Sequence, residues 1–266
     1  MLVREIKCKS LLNKSKLTDY CINPYVGCQH ACKYCYAEYY TRKFTGHAEK
    51  WGEFVDVKIN SPEILIKEII RKRRGEVFLS SLTDPYQPLE RKYKLTRKIL
   101  EILLRYRFPI SIQTKSSLVL RDLDLIEKFE EREVGLTIIT LDEKVRKEFE
   151  PFSPTSKDRL KVLEVLKERG IKTYVFFGPV LPFLSDENLE ETLNRFKEVA
   201  DYIFVDKLNL KPGVWERVEE VLMEFDAKVL TKWRKIFFEG NNYYRRMKER
   251  ISEICKRNKL RCVFCY

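Results

Sequence analysis

Residues 23–36 read NPYVGCQHACKYCY, placing Cys28, Cys32 and Cys35 at C-x3-C-x2-C with no fourth cysteine at comparable spacing. A structural zinc site closes a tetrahedron with four ligands. A cubane 4Fe–4S cluster has four irons, each ordinarily held by its own thiolate. Three thiolates between residues 28 and 35 can hold three irons and leave one bare, open to chelation by an amine and a carboxylate. The methionine end of S-adenosylmethionine (SAM) carries both groups. An electron passed into its sulfonium releases a 5′-deoxyadenosyl radical, so the cofactor does the difficult chemistry. A zinc site completed by Cys21 or His30 is the competing reading of the same loop.

The chain holds eight cysteines and no apolar segment of the roughly 20 residues that span a membrane. MLVREIKCKS lacks the apolar stretch of a signal peptide. The expectation is a cytoplasmic protein whose cysteines serve metal or redox chemistry. Cys8 has no assignable role, and Cys21 reads as a small core residue in a strand. Cys255, Cys262 and Cys265 suit a helix end and final strand, a second metal site or a disulfide. Cys262 and Cys265 lie three apart and would face opposite sides of a regular strand.

The elements that position the loop alternate. A first strand lies in LTDYCINPYV (17–26), followed by strands at 76–81, 108–116, 133–140, 172–180 and 201–210. Between them, amphipathic periodicity predicts helices at 61–74, 96–107, 120–131, 156–170 and 187–200. Ser61 is the expected N-cap with Pro62 in the first turn, and Gly170 the expected C′ residue. Alternation of this kind implies a parallel sheet. With 266 residues, some forty in the cysteine region and a helical tail at 215–259, the length favours six units over the eight of a full barrel. The predicted fold is α/β, a partial (β/α)6 TIM-type barrel over 1–212 with its cluster loop at 28–35. A helical C-terminal extension over 213–266 packs on the same domain. In such barrels chemistry sits at the carboxyl ends of the strands.

The loop, with an aromatic before its last cysteine, resembles the radical SAM superfamily. NPYVGCQHACKYCYAEYY, SSLTDPYQPLE, QTKSSLVLRDLDLI and TLDEKVRKEFEPFSPTSKDRL together resemble the branch related to spore photoproduct lyase, often labelled DNA repair photolyase. The similarity covers roughly 18–212. It implies Cys28, Cys32 and Cys35 as cluster ligands and Tyr34 beside the SAM adenine. It implies Ser81, Thr83 and Asp84 near the methionine amino group, and Lys115 with Ser116 at its carboxylate. Thr137 or Thr140 would approach the ribose, and Gly178 would let the backbone near the adenine. Glu150 and Arg159 match family positions without a stated role. Spore photoproduct lyases carry a hydrogen-donating cysteine just ahead of the strand-two aspartate. This chain has Ser81, whose O–H bond is too strong for that task, and the tyrosines Tyr25, Tyr36 and Tyr86 are the candidates to replace it.

Lys and Arg number 52 against 40 Asp and Glu, a net charge of +12. That excess suits an anionic partner, a nucleic-acid base being the favoured substrate class. The same charge can be solvated surface, and a charged fraction of 35% also fits a thermophile's ion-pair networks. The alternatives are radical SAM modification of a protein or small metabolite, and a non-catalytic nucleic-acid-binding protein stabilised by zinc or a cluster. The resemblance also implies an external electron donor, a reductase or ferredoxin-like protein. His30 reads as packing in the cluster loop, His47 as a loop residue, Trp51 and Lys58 as cover or surface, and Asn209 as a lumen candidate.

Overall fold

The computed structural model describes residues 1–266. Its strands are β1 (Leu2–Ile6), β2 (Asn13–Lys14), β3 (Tyr20–Ile22), β4 (Tyr25–Val26), β5 (Phe54–Lys58) and β6 (Val77–Leu79), then β7 (Ile110–Thr114), β8 (Arg132–Thr137), β9 (Lys172–Val180), β10 (Tyr202–Lys207) and β11 (Arg261–Phe264). The helices are α1 (Ala37–Thr45), α2 (Ser61–Ile69), α3 (Glu90–Tyr93), α4 (Leu95–Arg105), α5 (Leu123–Ile126) and α6 (Glu143–Phe149). They continue as α7 (Ser156–Glu168), α8 (Leu189–Val199), α9 (Val214–Phe225), α10 (Ala227–Phe238) and α11 (Tyr243–Arg257).

The main sheet runs β2-β3-β6-β7-β8-β9-β10-β11 and is open at both edges. From β3 to β11 every pairing is parallel, so the carboxyl ends of seven strands share one rim. The six expected strand–helix units are present. β11 adds a seventh parallel strand from the far end of the chain, and β2 adds an antiparallel edge. The strands are apolar on both faces because helices cover one side and the strands close around a shared interior on the other. Ile22, Leu79, Ile112, Leu136, Val175 and Ile203 are all completely buried.

The expected first strand divides in two. Pro24 has no N–H to donate to a ladder, and the chain leaves the main sheet there. It re-enters as β4 in a small sheet of order β1-β5-β4. His47 is a buried clamp of this sheet. Its ring stacks on Phe54 with centroids 3.9 Å apart, and Nε2 lies 2.9 Å from Asp56 Oδ2. The expected helix at 120–131 shrinks to α5 behind a 3-10 turn, Ser117–Asp122. Buried Asp122 accepts hydrogen bonds from Arg97 and Arg121 and holds that segment in place. α2 begins at Ser61 with Asn60 as its N-cap, and Ser61 Oγ donates to Lys58 O at 2.6 Å. Gly170, at φ +67°, follows the C-cap Arg169 as expected.

The C-terminal helices are part of the molecule's interior. α11 contributes Met247 and Ile251 to the main core, while Val214, Val218 and Trp233 pack with Phe149, Leu181 and the cysteine-loop residues Cys32 and Tyr34. No helix is long and apolar enough to cross a membrane.

Candidate functional site

The cysteine loop follows β4 and crosses the rim of the parallel sheet. Gly27 introduces it at φ +84°, where a Cβ would lie 2.4 Å from Phe54 O, so only glycine fits. Thr83 Oγ1 donates to Gly27 O at 2.6 Å, and the Gln29 N–H donates to Gln87 Oε1 at 3.0 Å. The Lys33 N–H donates to Phe149 O at 2.9 Å. From the C-terminal extension, Arg217 donates to the carbonyls of Lys33 (3.0 Å) and Cys35 (2.8 Å) and pairs with buried Glu38. The loop is therefore pinned from three directions.

Cys28, Cys32 and Cys35 line one cavity of about 860 Å³, counted with its open mouth, together with Tyr34, Ser81, Thr83, Asp84, Lys115 and Gly178. Thr137 lines it too; Thr140 does not. Thr140 Oγ1 instead accepts from the Asp142 N–H at 3.1 Å, at the turn into α6. Ser116 also lies outside the lining, its Oγ accepting from the Leu118 N–H as the cap of the 3-10 turn. Asn209 and Trp51 are in the wall, as are Gln113, Phe176 and Asp206, which the sequence did not single out. Gly178 makes room for a neighbour as well as for the cavity, since a Cβ there would meet the Phe176 ring at 2.4 Å.

Asp84 joins two strand ends. Its Oδ1 accepts from Thr114 Oγ1 (2.6 Å) and the Tyr86 N–H (2.9 Å), and its Oδ2 accepts from the Lys115 N–H (2.8 Å). His30 Nε2 stands 3.3 Å from the same carboxylate without good hydrogen-bond alignment. Burial acts to raise the Asp84 carboxyl, but His30, Thr114 and the Lys115 N–H outweigh it and hold the pKa at about 2. Glu150 and Arg159, both completely buried, form an ion pair. Glu150 also accepts from Tyr34 OH and lies 3.9 Å from Lys115 Nζ, while Arg159 donates to Thr137 O at 2.7 Å. Burial opposes the Glu150 charge, yet Arg159 and Lys115 lower its pKa. This pair ties Tyr34 of the cysteine loop to the end of β8.

The donor set fits a cluster better than a single ion. Three thiols face one cavity, the soft ligands that a cubane would take one per iron. Burial raises all three thiols, Cys32 to about 12, so the pocket holds them neutral until a cation favours the thiolates. The remaining wall fits a polar organic ligand. Ser80 Oγ and Trp51 Nε1, on residues that line the cavity, are buried and without hydrogen-bond partners, a state that costs about 1–3 kcal/mol per group unless a ligand satisfies it.

Cys21 has a neighbour that the sequence could not show. Its Sγ lies 3.2 Å from Ser81 Oγ, and Tyr36 OH donates to Ser81 O at 2.9 Å. Tyr25 is instead committed to buried Glu90, and neither Tyr25 nor Tyr86 reaches the cavity. At the other end of the chain, Cys255 is buried against Cys262 while Cys265 is exposed, and all eight cysteines are free thiols.

A parallel α/β partial barrel with a three-thiol loop on its rim defines a recognisable class. The sequence model of the radical SAM superfamily matches residues 22–196, and the chain belongs to that superfamily, whose members use a 4Fe–4S cluster and SAM. An uncharacterized protein of Methanocaldococcus jannaschii is 42% identical over 209 residues, 78% of each chain. The fold is similar to spore photoproduct lyase complexed with a dinucleoside spore photoproduct, with a TM-score of 0.70 at 14% identity, covering 99% of this chain and 82% of that one. It is also similar to Streptococcus suis SuiB bound to its precursor peptide SuiA, with a TM-score of 0.58 at 17% identity, covering 92% and 48%.

Proposed function

We propose that Cys28, Cys32 and Cys35 hold the 4Fe–4S cluster, that SAM occupies the adjoining cavity, and that the protein abstracts hydrogen from a nucleic-acid base. The observation that carries this reading is the meeting of three soft thiols, a half-buried lysine and unsatisfied polar atoms in one cavity at the carboxyl ends of parallel strands. Bound there, the cluster and SAM supply a 5′-deoxyadenosyl radical once an external donor provides an electron.

The chain's own residues orient and enclose. Lys115 offers a compact cation for the SAM carboxylate, with its backbone held by Asp84. Ser80, Ser81, Thr137 and Phe176 line the same space. Buried Phe149, Leu181 and Trp233 keep water from the back of the loop. Cys21, which lies behind the cavity lining and touches it through Ser81 Oγ at 3.2 Å, carries the weak S–H bond that Ser81 lacks. Burial raises its pKa above the usual thiol value, so it keeps its hydrogen at neutral pH. Passing that hydrogen to a carbon radical leaves a thiyl, which an electron from the external donor and a proton restore.

The net charge of +12 supports a nucleic acid, as does the dinucleoside bound by spore photoproduct lyase. The peptide bound by SuiB supports the competing reading of a protein substrate. The test is anaerobic reconstitution of the wild type and Cys32→Ala. The wild type should hold about four irons and release 5′-deoxyadenosine from SAM and a reductant, and the variant should lose both. An unchanged rate in Cys32→Ala overturns the proposal.

A further inference from the structure

The positive charge is not spread over the molecule. Residues 227–266 carry 12 Lys and Arg against three Glu, leaving 40 basic and 37 acidic residues in 1–226. Nine of the twelve net charges thus sit on α10, α11 and β11. All twelve basic side chains are exposed. Only Arg234 and Arg257 pair with a carboxylate, through Glu219 and Glu190. A surface stabilised by ion-pair networks would pair them; ten unpaired cations on one extension present a field for an external polyanion.

This extension reaches the cavity. β11 runs parallel to β10, so Cys265 and Tyr266 emerge beside Asp206 and Lys207, which line the mouth. Lys207 Nζ lies 5.6 Å from the centre of the Tyr266 ring, and Lys248 Nζ 5.7 Å from it. At the end of the same 207–211 segment, Lys211 Nζ lies 5.8 Å over Tyr40, whose ring meets Tyr36 edge-on at 6.1 Å. Tyr36 is itself in the cavity wall and 37% exposed. Half-exposed aromatic rings interleaved with unpaired lysines thus adjoin the opening, through Tyr36 in its wall and through Lys207 beside Tyr266.

We infer that α10, α11 and β11 form a binding track for a single-stranded polynucleotide. The track leads across Tyr266 and Lys207 to the cavity mouth and on to Tyr40 and Lys211. The inference rests on the nucleic-acid reading above and gives that substrate its form. Cations follow the phosphates, exposed rings stack bases without regard to sequence, and an unpaired base reaches a deep cavity without the cost of leaving a duplex stack. The C-terminal extension is then the substrate-binding part of the enzyme.

The test is fluorescence anisotropy with the full-length, cluster-loaded protein and labelled DNA and RNA oligonucleotides of about 20 nucleotides, single-stranded and as blunt duplexes. Single strands should bind at least roughly tenfold tighter than duplexes, with affinity falling by about 0.7 log per contacted phosphate per log of salt. Arg245→Glu/Arg246→Glu/Arg250→Glu should flatten that slope by about 2. Tyr266→Ala should weaken binding roughly 5- to 100-fold with the slope unchanged. Binding by the triple variant equal to wild type overturns the inference. So does duplex binding as tight as single-strand binding with Tyr266→Ala inert, or competition by polyglutamate as effective as by the oligonucleotide. Preference between the DNA and RNA strands identifies the source of the strand. Oligonucleotide binding by a protein that yields no 5′-deoxyadenosine would remove the radical reading and leave this one. 5′-Deoxyadenosine release with no oligonucleotide binding would do the reverse.

Discussion

Cys21 Sγ and Ser81 Oγ, on neighbouring parallel strand segments, are 3.2 Å apart beside the cavity. A thiol at one position and a hydroxyl at the other place a single hydrogen donor between the two strands. Turnover in D2O with an accepted substrate should carry solvent deuterium from the exchangeable S–D into product. Cys21→Ala should abolish that label while iron content and SAM cleavage persist. Because the two atoms are so close, Cys21→Ala/Ser81→Cys should restore it. Mass spectrometry of the product decides; label unchanged in the single variant rules Cys21 out.

Glu150 and Arg159 are both wholly buried; without Arg159 the carboxylate keeps only Lys115 Nζ at 3.9 Å, and without Glu150 the guanidinium has no carboxylate at all. Arg159→Met or Glu150→Gln should each cost about 3–5 kcal/mol of unfolding free energy. The double variant should regain a large part of that loss, because the penalty comes from the stranded partner. Urea denaturation of the three proteins measures this, and additive losses would refute a direct pairing.

The Asp84 carboxyl, at about 2, lies below its usual value of 3.8. A depressed carboxyl stabilises the fold above the unfolded value and loses that contribution as pH falls through the folded one. Stability should therefore drop by about 2 kcal/mol between roughly pH 4 and pH 2 from this group. In Asp84→Asn the component should be absent and the acid limb shallower. Identical pH profiles for the two proteins would contradict the assignment.

Arg217 connects the C-terminal extension to the backbone of two residues in the cysteine loop. Arg217→Ala removes those donors and leaves buried Glu38 with Arg42 as its one remaining cation, at a cost of about 1–3 kcal/mol. Iron retained after anaerobic desalting should fall below half that of the wild type. Lysine, a point charge without the planar fork, should recover stability more than iron retention. Iron content equal to wild type in Arg217→Ala would show that the loop holds its shape alone.

Local pattern was enough for the architecture and the centre of the site. The C-x3-C-x2-C spacing, the alternation of apolar strands with amphipathic helices and Gly170 at a helix end are short-range signals, each written within a few residues. They led to the three thiols, the rim and a parallel six-unit core. Tertiary structure alone decided which distant side chains meet. Cys21 and Ser81 are 60 positions apart, and Arg217 and Lys33 are 184 apart. Nothing local marks β1 and β5 as partners or carries β11 to the edge of β10. Thr140 and Ser116 are polar residues at strand ends, as the chemistry required, yet backbone groups nearby claim their hydroxyls and leave them outside the cavity. A residue's type and spacing set what it can do; its direction in the packed chain sets what it touches, and that direction is settled only when all the strands share one interior.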